Sequence, residues 1–316
     1  MKAIQITAFG GPDSMHLVEM PEPIPTTGLE LIDVLAIGVN YADTHQTENS
    51  YLSPQELPLI PGIEVIGKTA DGRRVLTPVA AGGYAQKTLA YSAAMIDVPD
   101  GVSDEQALCM LVQGSTAWHI LKTVGHLKAE ESVVIHAAAG GVGTIAIQLA
   151  KLWGAKVIAV ASTQAKRDLA KSLGADEVID ADQEKLLAAI LGANNGKPVD
   201  LVLEMVGGKT FDASLEALAP FGRLIVYGMA SRTAPTPIHP GSLMAGTKTI
   251  TGFWLSHCFG KKELMNDVIA ELFDLVKKGT LKPVIGASFA MSEAANAHKA
   301  MLARETTGKI TLNPAE

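Results

Sequence analysis

The segment Val133-Val-Ile-His-Ala-Ala-Ala-Gly-Gly-Val-Gly143 runs from a β-branched apolar stretch directly into a cluster of glycines. At such a junction, backbone N–H groups and the positive end of the following helix can approach a pyrophosphate closely. Set on the G-x-G-x-x-G fingerprint, Gly140 and Gly143 hold the second and third glycine positions and Ala138 the first, with Gly141 and Val142 between them. Roughly twenty residues on, an acid would bind a ribose 2′-hydroxyl and repel a 2′-phosphate. The stretch Val160-Ala-Ser-Thr-Gln-Ala-Lys-Arg167 has no carboxylate before Asp168. Ser162, Lys166 and Arg167 suit a phosphate instead, which points to NADPH; the alternative is that the two cations form only a solvated helical turn.

These residues need a scaffold, and the surrounding pattern specifies one. From Ser115 onward, strand patterns alternate with helical ones, the signature of a parallel sheet flanked by helices. Strands are expected over Ser132 to Ala137, Lys156 to Ala161, Glu177 to Ile179, Asp200 to Glu204, Arg223 to Tyr227 and Thr249 to Phe253. The helix from Gly143 to Leu152 carries Ile145, Leu149 and Leu152 on one face, and Lys171-Ser-Leu-Gly174 reads as a helix ending at a glycine. The first 110 residues or so are short β-branched runs broken by Gly and Pro, such as Leu31 to Ile37, Glu64 to Thr69 and Arg74 to Thr77. After Phe253 come a helix, Lys261 to Lys278, and a strand, Gly308 to Leu312, which is assigned back to the first domain. The fold class is thus α/β: a Rossmann-type dinucleotide domain over 115–256 and an irregular β-rich domain over 1–114 and 257–316.

Composition narrows the class further. The 316 residues are 47% hydrophobic and 19% charged, enough to bury a core and to exclude a disordered chain. A net charge of −7 argues against nucleic-acid binding. Cys109 and Cys258 have no partner at C-x-x-C spacing, which excludes a disulfide framework and a four-thiolate zinc site and fits a reducing compartment. The N-terminus lacks a signal-peptide core, no apolar run approaches a membrane span, and a cytoplasmic protein is expected.

Several ordered motifs together resemble the zinc-independent medium-chain dehydrogenase/reductase superfamily, in its quinone oxidoreductase group, over essentially the whole chain. They are Ala36-Ile-Gly-Val-Asn-Tyr-Ala-Asp43, Pro61-Gly-Ile-Glu64, Gly82-Gly-Tyr-Ala85, Gly114-Ser-Thr-Ala117, His136-Ala-Ala-Ala-Gly-Gly-Val-Gly143 and Gly252-Phe-Trp-Leu255. The resemblance implies that the β-rich domain is GroES-like and that no metal is used. Asn40 and Ile63 stand where zinc members carry a ligand cysteine and histidine, and no lobe of closely spaced cysteines is present. Glu64 beside apolar neighbours does not make a zinc site by itself. With Ala42 at the relay hydroxyl position, His45 is read as structural or surface.

By the same resemblance, Asn40, Asp43 and Thr116 line the nicotinamide end, while Gly140, Val142, Tyr227 and Gly228 contact the nucleotide. Tyr51, eleven residues after Asn40, matches a substrate-facing tyrosine and is the first choice for a catalytic side chain; packing against its own loop is the alternative. Ala181 replaces a tyrosine found near the adenosine phosphate in the group. A homodimer is implied, joined through the strand Thr249 to Leu255. The implied activity is hydride transfer from NADPH to a quinone or α,β-unsaturated carbonyl. Without a Lewis acid, such electron-poor acceptors are the ones that positioning alone can serve. An enoyl thioester reductase and a non-enzymatic, crystallin-like nucleotide binder remain as alternatives.

Overall fold

The computed structural model describes residues 1–50 and 52–316. It divides into two compact units, Met1–Val112 with Cys258–Glu316, and Gln113–His257.

The second unit is built on six parallel strands, ordered Glu177–Ile179, Lys156–Val160, Ser132–Ile135, Val199–Glu204, Leu218–Val226 and Thr249–Gly252. In chain order this is 3-2-1-4-5-6, the doubly wound arrangement of dinucleotide-binding sheets. All six expected strands are present. Their apolar runs are continuous because helices cover both faces: Val133, Val134, Ile135, Val157, Ile158, Leu201, Val202 and Leu203 are fully buried. The glycine-rich helix begins at Gly141, two residues earlier than its apolar face suggests, and ends at Leu152. The helix Gln164–Ser172 closes on Gly174, whose φ of 107° is open to glycine at little cost.

The first unit centres on the long strand Leu29–Val39, paired antiparallel with Glu64–Lys68, Lys87–Tyr91 and Lys309–Asn313. The C-terminal strand therefore lies inside this β-rich sheet, with Ile310 opposite Val39. Its other side pairs with Ile285–Ala290, in parallel, through the crossover helix Ala294–Leu302. The helix expected from Lys261 starts at Asn266 and runs to Lys277, after a turn over 262–265. Ile32, Ile37, Val39, Val65, Val75, Tyr84, Ile310 and Leu312 form the core.

Candidate functional site

In the second unit the glycine turn sits at the C-terminal end of Ser132–Ile135. Gly140 N–H closes the turn on Ala137 O at 2.8 Å. The first-turn amides of Gly141, Val142 and Gly143 are those that helix geometry leaves without an intrahelical carbonyl. Space around the turn explains the residue types. A Cβ on Gly143 would come within 2.6 Å of Ala137 O and 2.7 Å of Ala138 Cα, so the helix meets the strand only with glycine here. A Cβ on Gly141 would strike the Gln113 side chain at 2.0 Å. Gln113 is buried against this turn with Oε1 lacking a hydrogen-bond partner. A tight glycine cradle with an unused acceptor beside it fits a dinucleotide. Sequence reading missed Gln113; its place immediately before Gly114-Ser-Thr116 was the available signal.

The other expected nucleotide contacts follow the ends of neighbouring strands. Tyr227 and Gly228 continue Leu218–Val226, with Tyr227 N–H donating to Glu204 O at 3.0 Å. Burial, then the nearby Glu204 carboxylate, raises the Tyr227 phenol well above its ordinary range. Glu204 is itself buried and holds Val206 N–H and Gly207 N–H with Oε1, at 2.7 and 3.0 Å. Ser162 is exposed just beyond Lys156–Val160, and Thr163 Oγ1 caps the next helix by accepting from Lys166 N–H. Arg167 is committed elsewhere: Nη1 donates to Asp180 Oδ2 at 2.5 Å and to Ala161 O at 2.9 Å. Thr116 lies buried on the helix Ser115–Leu121. Tyr51 lies outside the described residues.

In the first unit, Asn40 and Asp43 are brought together at the start of the helix Tyr41–Gln46. Asp43 Oδ2 accepts from Asn40 N–H and from the Tyr84 hydroxyl, both at 2.9 Å. The Tyr84 hydroxyl is also 2.9 Å from His298 Nε2, so while it donates to an ionised Asp43 it accepts from an Nε2–H tautomer. Burial lowers His298 to about 4 and keeps it neutral. Asp43 is fully buried, with Oδ1 unpartnered. Desolvation pushes its carboxyl up to about 7, against the opposing pull of Asn40, Tyr84 and Lys309. These contacts make Asp43 a brace for the Asn40 backbone.

The Asn40 side chain is held as firmly. Its Nδ2 donates to Glu64 Oε1 at 2.7 Å and its Oδ1 accepts from Lys309 Nζ at 3.1 Å. Lys309 also pairs directly with Glu64, and both are completely buried. Val112 N–H completes the cluster by donating to Glu64 Oε2 at 3.1 Å. One Nδ2 hydrogen of Asn40 is left for another acceptor. His45, expected to be structural or surface, is buried with Nδ1 2.8 Å from Ser50 Oγ. Among the described residues, no three His, Cys, Asp or Glu side chains come together as a metal site. Cys109 and Cys258 are buried free thiols, and burial pushes Cys109 up to about 12.

A pH dependence follows from Asp43. A carboxyl whose pKa is higher folded than unfolded binds more protons in the native state between the two values. Its contribution is complete below about pH 4 and is lost as pH rises through about 7. Asp43→Asn keeps an acceptor for Asn40 N–H and Tyr84 but cannot ionise. Relative to wild type, the variant is expected to gain stability from pH 5 to pH 8, by at most about 1.4 kcal/mol per pH unit. Urea unfolding across that range checks this, and parallel profiles would show that Asp43 is ionised throughout.

Residues 141–277 match the family described as zinc-binding dehydrogenase. A quinone oxidoreductase of Pseudomonas aeruginosa is 32% identical over 99% of both chains, and a 2-haloacrylate reductase of a Burkholderia species is 32% identical over 96% of both. Among solved structures, a mycobacterial protein complexed with NADPH is 36% identical, with a TM-score of 0.93 over 99% of this chain and 100% of that one. The quinone oxidoreductase of Escherichia coli complexed with NADPH is 30% identical, with a TM-score of 0.94 over the same shares. On full-length similarity and on the parallel sheet with its glycine turn, the chain belongs to the quinone oxidoreductase group of the zinc-independent medium-chain dehydrogenases/reductases.

Proposed function

We infer that this protein is an NADPH-dependent reductase that passes hydride to a quinone or an α,β-unsaturated carbonyl without a metal. The observation that carries the reading is the glycine turn at the C-terminal end of the parallel sheet, in a chain whose full-length relatives are solved with NADPH. The names of its relatives, quinone oxidoreductase and 2-haloacrylate reductase, are both reductions of electron-poor conjugated acceptors.

The nicotinamide supplies the hydride when bound. The chain's own part is to bind and orient. Gly141, Val142 and Gly143 would hold the pyrophosphate through backbone N–H groups and the helix dipole, on a turn that Gly140 N–H closes against Ala137 O. Ser162 and Lys166 would serve the 2′-phosphate, Tyr227 and Gly228 would border the nucleotide, and Thr116 would line the nicotinamide end. In the first unit Asn40 is a fixed polar group, its amide held by Glu64 and Lys309 and its backbone by Asp43. Tyr51 is proposed as the polar group that faces the acceptor.

Following NADPH oxidation with a simple quinone, an enone and a crotonyl thioester side by side tests the reading. Turnover of quinone or enone well above thioester supports it. Preference for the thioester assigns the chain to acyl reduction, and turnover of none leaves a nucleotide-binding protein.

The proposed assembly is a homodimer. Thr249–Gly252 forms one edge of the parallel sheet, pairing on one side with Leu218–Val226. Phe221 and Met244 near it are 76% and 81% exposed. Pairing of two such edges would satisfy the open backbone groups. Light scattering at micromolar concentration is expected to give twice the chain mass, and the chain mass alone would remove the proposal. A cytoplasmic location is proposed on the two unpaired cysteines. No described helix is long and apolar enough to cross a membrane.

A further inference from the structure

In a sheet of this strand order, the ribose that carries the 2′-substituent lies at the C-terminal end of the second strand, here Lys156–Val160. Arg167 occupies that corner in a particular way. Its Nη1 reaches back to Ala161 O at 2.9 Å, just past the second strand, and across to Asp180 Oδ2 at 2.5 Å, just past the third. Nη2 donates to Gln164 Oε1 at 3.3 Å. The guanidinium thus closes the gap between two neighbouring parallel strands, and only 17% of the side chain is exposed. Asp180 lies on the solvent side, 54% exposed, and its Oδ1 accepts from Asp182 N–H at 3.0 Å, so the carboxylate is held at both oxygens.

The charge that meets Arg167 is the Asp180 carboxylate, while Asp182 has its own cation in Lys185, Nζ to Oδ2 at 3.7 Å, and Asp168 accepts from Gln164 Nε2 at 2.7 Å. The acid that a 2′-hydroxyl-binding sheet places after its second strand is absent here, yet the third strand delivers one beside the same spot. It does two things at once: it neutralises the arginine that a 2′-phosphate would use, and it adds a negative charge facing that phosphate.

We propose that Asp180 is a specificity-determining residue, which limits discrimination for NADPH over NADH by holding Arg167 in an internal ion pair. The inference rests on the NADPH reading given above. Ser162 and Lys166 provide the phosphate contacts that remain, and releasing Arg167 adds a third.

The test is binding, measured by quenching of protein fluorescence with NADPH and with NADH separately, on the intact wild type and on variants. Asp180→Asn is expected to tighten NADPH about tenfold, the worth of one charge-assisted contact, with NADH changed less than about twofold. Asp180→Ala should match or exceed this, because asparagine retains an acceptor for the guanidinium. In the Arg167→Gln background the gain should shrink to the part owed to the Asp180 charge alone, and in wild-type Arg167 it should shrink as salt is raised. An unchanged or weakened NADPH affinity in both Asp180 variants overturns the proposal, as does an equal shift for the two cofactors. A wild type that binds neither dinucleotide removes the cofactor reading itself, and the proposal with it. A wild type that binds both, with Asp180 variants unchanged, removes the proposal alone.

Discussion

Replacing Lys309 with methionine is expected to destabilise the first unit by ~3–5 kcal/mol. Lys309 and Glu64 are each completely buried and paired. Removing the ammonium leaves the Glu64 carboxylate in the core with, among the described residues, Asn40 Nδ2 and Val112 N–H as donors. An unpaired buried charge, rather than the lost attraction alone, sets the size of the effect. The companion variant Glu64→Gln/Lys309→Met carries no buried charge and keeps an acceptor for Asn40. It should recover most of the loss, since an ion pair and its neutral replacement of similar volume are often close in stability. Urea unfolding of the four proteins of the cycle measures this. A single variant as stable as wild type would show that water reaches Glu64. A double variant no better than the single would place the loss in packing. Asn40 also loses the partner of its Oδ1 in Lys309→Met, so NADPH-dependent turnover should fall even where the protein is fully folded.

Tyr51→Phe is expected to slow enone reduction by ~10²–10⁴-fold, while quinone reduction is slowed much less. The asymmetry comes from the acceptors. Hydride addition to a quinone leaves charge on oxygen, which takes its proton from water. Addition to an enone places a hydride on the β-carbon and leaves an enolate that must still take a proton at its α-carbon, which a nearby phenol can give and then recover from water. Parallel steady-state measurements on one quinone and one enone check this. Equal losses on both would make Tyr51 a binding residue, and unchanged rates would leave hydride positioning as the whole mechanism. Tyr51 is proposed because the family resemblance implies a substrate-facing tyrosine eleven residues after Asn40, and the neighbouring Ser50 is tied to His45 Nδ1 at 2.8 Å.

What the sequence made legible follows its local physics. The six parallel strands and the glycine helix were readable because each is a short apolar run bounded by turn residues, and the alternation with helices dictates a doubly wound sheet. The buried pair Glu64 and Lys309 was not. The partners are 245 residues apart in the chain. In Gly308-Lys-Ile-Thr-Leu312, alternation assigns Lys309 and Thr311 to a solvent face, yet that strand is internal to its sheet and Thr311 is 3% exposed. Glu64, read alone beside apolar neighbours, appeared only as a carboxylate unfit for zinc. Arg167 shows the same limit from the other side. Its charge was visible, but Asp180 meets it only because the second and third strands run parallel and end together. The brace of Asp43 by Tyr84 and His298 likewise joins three elements that no local pattern links.

The central claim is metal-free hydride transfer from NADPH to a conjugated acceptor. It is tested most directly with NADPH dideuterated at the nicotinamide C4 position, using protein dialysed against a chelator and checked for metal by elemental analysis. Mass spectrometry of the product formed from an enone should show one deuterium at the β-carbon, at a rate unchanged by chelation. Product without deuterium, or activity that disappears with the chelator and returns with zinc, would contradict the account.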